Sequence, residues 1–214
     1  MNSQDSEFKR SFIDRDQLPE FFPTHRHSAL FWEHLGRTIA TFGCLEEVLG
    51  KAIFAFTMTR RYNNEEDAEA AYKTWLPQLL QQALTDQLWN LAEKYGKAVR
   101  NNPDSTISNI DELVSEIKKA AKLRNVLCHG SWGQRPDETG KSLPQFVSKN
   151  CEVFDTPIDI EFLRHLQRRV VELCCDVMDS VTLMGWQFPG GVGLGKEIWP
   201  KDWQSGPLIG TSVN

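Results

Sequence analysis

The stretch Ala29–Met58, ALFWEHLGRTIATFGCLEEVLGKAIFAFTM, decides the fold class of this chain. Leu35, Ile39, Phe42, Leu49, Ile53 and Phe56 recur at three- and four-residue spacing, and Glu46 completes the series. That spacing aligns them on one face of a long amphipathic helix. Gly36, Gly43 and Gly50 stand seven apart inside it, and each helix-interior glycine costs about 1 kcal/mol relative to alanine. Either the helix breaks at one of them, or they line a smooth groove in which another helix, from this chain or a second copy, packs at close range. The apolar period passes all three without a change of phase, which favours the groove.

Working outward, the charged run RRYNNEED leads to a second helical region. There Pro77 starts or kinks the part that presents Leu80, Leu84, Leu88, Leu91 and Tyr95, and Gly96 is its expected end. The polar loop KAVRNNPDST gives way to a third helix, with Ser108 or Asn109 at the N-cap and Asp111 and Glu112 in the first turn. Ile110, Val114, Ile117 and Ala121 form its core stripe and Gly130 its stop. QFVSKNCEVF reads as a short hairpin turning at Lys149 and Asn150. A fourth helix is announced by Thr156 at the N-cap, Pro157 at the first position and Asp159 in the first turn. Its core face is Leu163, Leu166, Val170, Cys174, Val177, Val181 and Met184. The expectation is an all-α fold: a four-to-five-helix bundle over residues 29–185 with a small hairpin insertion. Residues 1–28 read as a flexible polar segment, and residues 186–214, rich in Gly, Pro and Trp, as an irregular tail packed on the bundle.

The 214 residues suffice for one sizeable core, and 40% hydrophobic with 25% charged residues is ordinary globular composition. A net charge of −5 excludes a protein that coats nucleic acid by bulk electrostatics, while leaving room for a small focused patch. No apolar run approaches the roughly 20 residues that span a bilayer, and MNSQDSEFKRSFIDRDQ lacks a signal-peptide core. A soluble cytoplasmic protein with no membrane partner is expected. Cys44, Cys128, Cys151, Cys174 and Cys175 are odd in number and mostly in apolar surroundings, which fits reduced thiols.

The third helix ends in KKAAKLRNVLCHGSW, where the core stripe continues to Arg124 and then Cys128. An arginine at a core position needs an anionic partner from the protein or from a ligand. Glu46 is the mirror image, an acid in phase with the apolar face of the first helix. Two readings stay open: an internal Glu46–Arg124 pair, or a Glu46 that orients Arg124 while its remaining donors face a phosphate. Asn125 and His129, four apart, share a helix face, whereas Arg124 and His129 are about 140° apart around an ideal helix. A loosened last turn or a twofold-related helix would be needed to bring them onto one group. The trio suits metal-free attack on a phosphodiester, because imidazole has an ordinary pKa near 6.5, guanidinium neutralises phosphoryl charge, and RNA supplies its own 2′-hydroxyl. From Glu116 to Arg135, the cations Lys118, Lys119, Lys122, Arg124 and Arg135 oppose Glu116 alone among Asp and Glu. This is an RNA-facing patch or a solvated face complementing the helix dipole.

The run Arg124-Asn125-Val126-Leu127-Cys128-His129-Gly130 resembles the signature of the HEPN superfamily (higher eukaryotes and prokaryotes nucleotide-binding domains). In that signature an Arg and a polar residue, often Asn, precede a His near the end of a core helix in an all-α bundle. The resemblance covers roughly residues 29–185 and implies a metal-independent endoribonuclease with no cofactor. It also implies a homodimer with paired motifs at its interface, products ending in a 2′,3′-cyclic phosphate and a 5′-hydroxyl, and an antitoxin or defence-system partner. By the same resemblance His129 is the acid or base, Arg124 the phosphate ligand and Asn125 the positioning residue; the basic patch, not the resemblance, adds Lys118, Lys119 and Lys122 as RNA-binding residues. Toxins of this superfamily silenced by a nucleotidyltransferase often carry Tyr two residues after the His; here that position is Ser131, which argues against that subtype. The alternative is a non-catalytic dimeric helical interaction or RNA-binding module.

Other candidates carry less. His25, His27 and His34 lack a carboxylate or Cys to complete a metal set. His165 among Arg164, Arg168 and Arg169 reads as a solvated basic face, and Cys128, on the core stripe, as a buried inert thiol. Gly190–Gly195 lacks the helix and Lys-Ser/Thr pair of a phosphate-binding loop.

Overall fold

Helix α1 (Ala29–Met58) runs unbroken through Gly36, Gly43 and Gly50. Of its apolar series, Leu35, Phe42, Leu49, Ile53 and Phe56 are buried and Ile39 packs at the edge of the core. A Cβ at Gly36 or Gly43 would meet nothing within 4 Å, so both lie on an open face that no described part of the chain covers. The computed structural model describes residues 12–58, 66, 69, 70, 73, 87–148 and 150–190. Three further helices, α2 (Leu88–Asn101), α3 (Ile110–His129) and α4 (Ile160–Thr182), pack with α1 around one hydrophobic core.

Helices α1 and α4 lie side by side and run in the same direction. Near their starts Thr38 Oγ1 donates to the Leu163 carbonyl at 3.3 Å, and towards their other ends Phe56 of α1 meets the ring of Trp186, just after α4, at 5.4 Å. Tyr95 of α2 is fully buried and donates its hydroxyl to Ser180 Oγ of α4 at 2.7 Å, which satisfies a polar group the core would otherwise penalise. Burial pushes the Tyr95 hydroxyl up to about 12, keeping it a neutral donor.

Two helix boundaries differ from the sequence reading. Helix α2 does not end at Gly96 but continues to Asn101; a Cβ at Gly96 would stand 2.8 Å from Val114 Cγ2, so glycine is there to let α2 approach α3. Leu88, Leu91 and Tyr95 are buried as expected, while Pro77, Leu80 and Leu84 lie outside the described residues. Helix α4 is capped by Asp159, whose side chain accepts from the Phe162 amide at 2.7 Å, and not by Thr156. Ile158 pairs with Ser142 in both directions, at 2.9 and 2.8 Å, so the residues before Asp159 are held extended.

The expected hairpin is reduced to isolated antiparallel bridges, Ser131 with Gln145, Ser142 with Ile158 and Val147 with Val153, and no strand forms among the described residues. Asn150 lies in the turn and Lys149 outside the described residues. Residues 12–28 make a 3-10 turn at Arg15–Gln17, further turns, and a contact with the bundle at His27, which is buried. Of the C-terminal tail, Trp186 and Phe188 pack on the core, and residues 191–214 lie outside the described set. Among the described residues no helix is long and apolar enough to cross a membrane.

Candidate functional site

Helix α3 carries Arg124, Asn125 and His129 on its last two turns and ends at Gly130, as the core stripe and the glycine indicate. Asn109 sits at its N-cap without a side-chain cap bond, and Asp111 and Glu112 fill its first turn. Gly130 is not a left-handed terminator; its φ is −67°. A side chain there would collide with the helix and with the insertion, since a Cβ would come 2.5 Å from the Val126 carbonyl oxygen and 2.9 Å from Pro144 Cβ.

The buried face of α3 changes along its length. Ile110, Val114, Ile117 and Ala121 are buried against the bundle, and Arg124 lies within about 20° of Ile117 on an ideal helix. Near the helix end, however, Val126, on the opposite side from Ile117, is buried. Arg124, Asn125 and Cys128 are only half-buried, and His129 is exposed. Pro144 of the insertion lies against Gly130 at the helix end, while Arg124 faces Glu46 of α1. Cys128 is therefore not the buried thiol its register suggests. Nor are the cysteines mostly embedded: Cys44, Cys151 and Cys175 are exposed, and only Cys174 is buried, its thiol pushed up to about 12 by burial.

Glu46 of α1 faces Arg124, Oε1 to the guanidinium at 3.5 Å, with the two side chains 26% and 28% exposed. The contact is an ion pair without a hydrogen bond, because Glu46 Oε1 is buried and has no hydrogen-bond partner among the described residues. Burial raises the Glu46 carboxyl above its ordinary range and the Arg124 charge pulls it partly back. No guanidinium N–H of Arg124 finds a hydrogen-bond acceptor among the described residues. A planar set of donors, held by one carboxylate and otherwise unengaged, is suited to receive an oxyanion.

The basic patch is smaller than its charge count. Lys118 pairs with Glu93 of α2 and lies over the Trp89 ring at 5.1 Å, and Lys119 pairs with Glu116 at 2.6 Å. Arg169 of α4 also reaches Glu116, at 3.3 Å, so that carboxylate is held below its ordinary range by two cations. Lys122 is exposed with no ion pair among the described residues. On an ideal helix Lys118, Lys122, Asn125 and His129 fall on one stripe, while Lys119 lies apart from it. Arg124 faces α1, about 140° away from His129, so the single chain does not bring the two onto one small group.

His165 lies on a solvated face, beside Arg168 and Glu161, at 3.0 and 3.5 Å. His34 accepts from Arg164 at 3.3 Å. Among the described residues no group of three or more His, Cys, Asp or Glu is placed to hold a metal ion. His27, which the sequence offers only as a member of an incomplete metal set, is 8% exposed. Its ring lies 4.7 Å from Phe31, 5.4 Å from Trp32 and 6.2 Å from Trp132, with Nε2 at 2.6 Å from Ser142 Oγ. Burial lowers its basicity. The signal lay in Phe31 and Trp32, which stand four and five residues on. Through His27 the N-terminal segment is fastened to the loop that directly follows His129. Compared with protein-family models, with curated proteins and with solved structures, the chain matches none.

Proposed function

We propose that this chain is a metal-independent endoribonuclease of HEPN type that acts as a homodimer. The observation that carries the reading is Arg124: a guanidinium at a core position of α3, half-open to solvent, held by Glu46 without a hydrogen bond. Arg124 neutralises the phosphoryl oxygens, and His129 moves the proton between the 2′-hydroxyl, the leaving oxygen and solvent. Asn125 orients the phosphate or the imidazole, and Lys122, in line with both, meets the RNA backbone. The open Gly36–Gly43 face of α1 gives a second copy room to approach, so that one chain's Arg124 and the partner's His129 converge. A role in toxin–antitoxin or antiviral defence, in the cytoplasm and with an antitoxin or defence-system partner, follows from the same resemblance.

A second reading is favoured by the Glu46–Arg124 ion pair, which a purely structural arginine would also make: a non-catalytic dimeric helical interaction or RNA-binding module. The deciding experiment incubates purified protein with single-stranded RNA in excess EDTA. Cleavage to 2′,3′-cyclic phosphate ends by wild type, abolished in His129→Ala at an unchanged melting temperature, is the expected result. Equal behaviour of the two proteins on RNA refutes the enzyme reading.

A further inference from the structure

Phe21 and Phe22 stand on the surface of the N-terminal segment, 73% and 56% exposed, although that segment is firmly built. The Phe21 carbonyl accepts from the Thr24 amide at 2.6 Å and from Thr24 Oγ1 at 2.8 Å, and the Phe22 amide donates to Pro19. Arg26 then donates to the Gly133 carbonyl, and the Trp32 indole donates to the Thr24 carbonyl at 2.9 Å. Phe21 has φ +59°, a left-handed conformation that is costly for a bulky residue. Neither the exposed ring nor the strained backbone stabilises the fold, yet the surrounding bonds enforce both. Such an arrangement displays the rings outward for a ligand.

The geometry of the rings indicates the ligand. Phe22 is stacked on His25 with centroids 5.9 Å apart and planes 25° from parallel. His25 backs one side of Phe22, and the 56% of Phe22 that stays exposed offers a π face of the kind on which unpaired nucleobases stack, and which a duplex, with its bases already stacked, does not use. The position indicates it too. Arg26 and His27 fasten this segment to Gly133 and Trp132, the loop that follows His129 by only a few residues. A strand bound at His129 has this loop as its immediate neighbour, because the loop begins at the next residue.

We propose that Phe21, Phe22 and His25 form a base-stacking platform that selects single-stranded RNA for the Arg124–His129 site. The proposal rests on the ribonuclease reading and names the substrate class of that site. The platform contributes by stacking and carries no sequence code, so it tolerates different bases.

The test measures binding of a fluorescein-labelled, fully 2′-O-methylated 12-mer, which removes the nucleophile, by anisotropy, as a single strand and as a duplex of the same sequence. Wild type is expected to bind the single strand more tightly than the duplex. Phe21→Leu/Phe22→Leu, which keeps apolar bulk without a π face, is expected to lose about tenfold or more in single-strand affinity with duplex affinity unchanged. Phe21→Tyr/Phe22→Tyr is expected to retain it. Equal single-strand and duplex affinity, or leucine and tyrosine variants that both bind like wild type, overturns the platform. So does a leucine variant whose mass in solution falls from that of wild type, which identifies the rings as a protein contact. Unmodified RNA separates the two layers of argument. If cleavage depends on His129 but not on the rings, the platform fails and the enzyme reading stands. If single-strand binding depends on the rings but His129→Ala cleaves like wild type, the enzyme reading fails.

Discussion

Replacing Arg124 by alanine distinguishes a phosphate ligand from a structural ion pair. The Glu46–Arg124 contact is 3.5 Å long, lacks a hydrogen bond, and leaves each side chain about a quarter exposed. Pairs of that quality contribute about 1 kcal/mol or less, against about 3–5 kcal/mol lost when a well-buried pair is broken. For a chain of 214 residues, 1 kcal/mol corresponds to roughly 2–4 °C in Tm. Arg124→Ala is therefore expected to remain folded, with Tm lowered by about 2–4 °C, while single-turnover RNA cleavage in EDTA falls by about 10²–10³. Arg124→Lys keeps the charge but not the planar fork, and should hold Tm while still losing most of the activity. Glu46→Gln should restore stability to the Arg124→Ala protein, because it removes a carboxylate that burial already disfavours in its charged form. A fall in Tm of about 10 °C or more, or cleavage at the wild-type rate, refutes the reasoning.

Three further outcomes are expected. Gly43→Leu should fold at least as well as wild type, since its Cβ meets nothing within 4 Å, yet it should shift a dimer to monomer in light scattering; an unchanged mass removes the groove. Gly96→Ala should lower stability by about 1–2 kcal/mol in urea titration despite alanine's helix propensity, because its Cβ meets Val114 Cγ2 at 2.8 Å; a gain in stability denies the close approach. His27 is buried with lowered basicity, so its contribution is fully present above an unfolded value near 6.5 and is lost as pH falls towards the folded one. Wild type should accordingly lose stability relative to His27→Gln between pH 7 and pH 5, and parallel curves for the two proteins contradict a neutral buried imidazole.

The helices were legible because their cause is local. The apolar period of α1 and the stop at Gly130 each arise from residues within a few turns of one another. The start of α4 was not: Thr156 and Asp159 are both good caps, and the choice between them is made by Ser142, which pairs with Ile158 from outside the helix. Gly96 likewise reads as a helix end along the chain and is a packing glycine only because Val114 comes against it. The site shows the same division. Arg124 on a core stripe and Asn125 in line with His129 were visible in register, but the pairing of Lys118 with Glu93 was not, since Glu93 belongs to another helix.

By itself, then, the sequence determined an all-α chain, the register that puts Arg124 opposite Glu46, and the helix end that carries His129, because helical periodicity and capping act over three or four residues. Only the tertiary structure decided that Arg124 is half-open, that His27 is a buried anchor and that Phe21 and Phe22 stand outward. Each of these depends on where the 130–159 insertion and the N-terminal segment come to rest. Those placements are set by long-range contacts such as Gly130 against Pro144, Arg26 on Gly133 and His27 on Ser142, which no local pattern encodes.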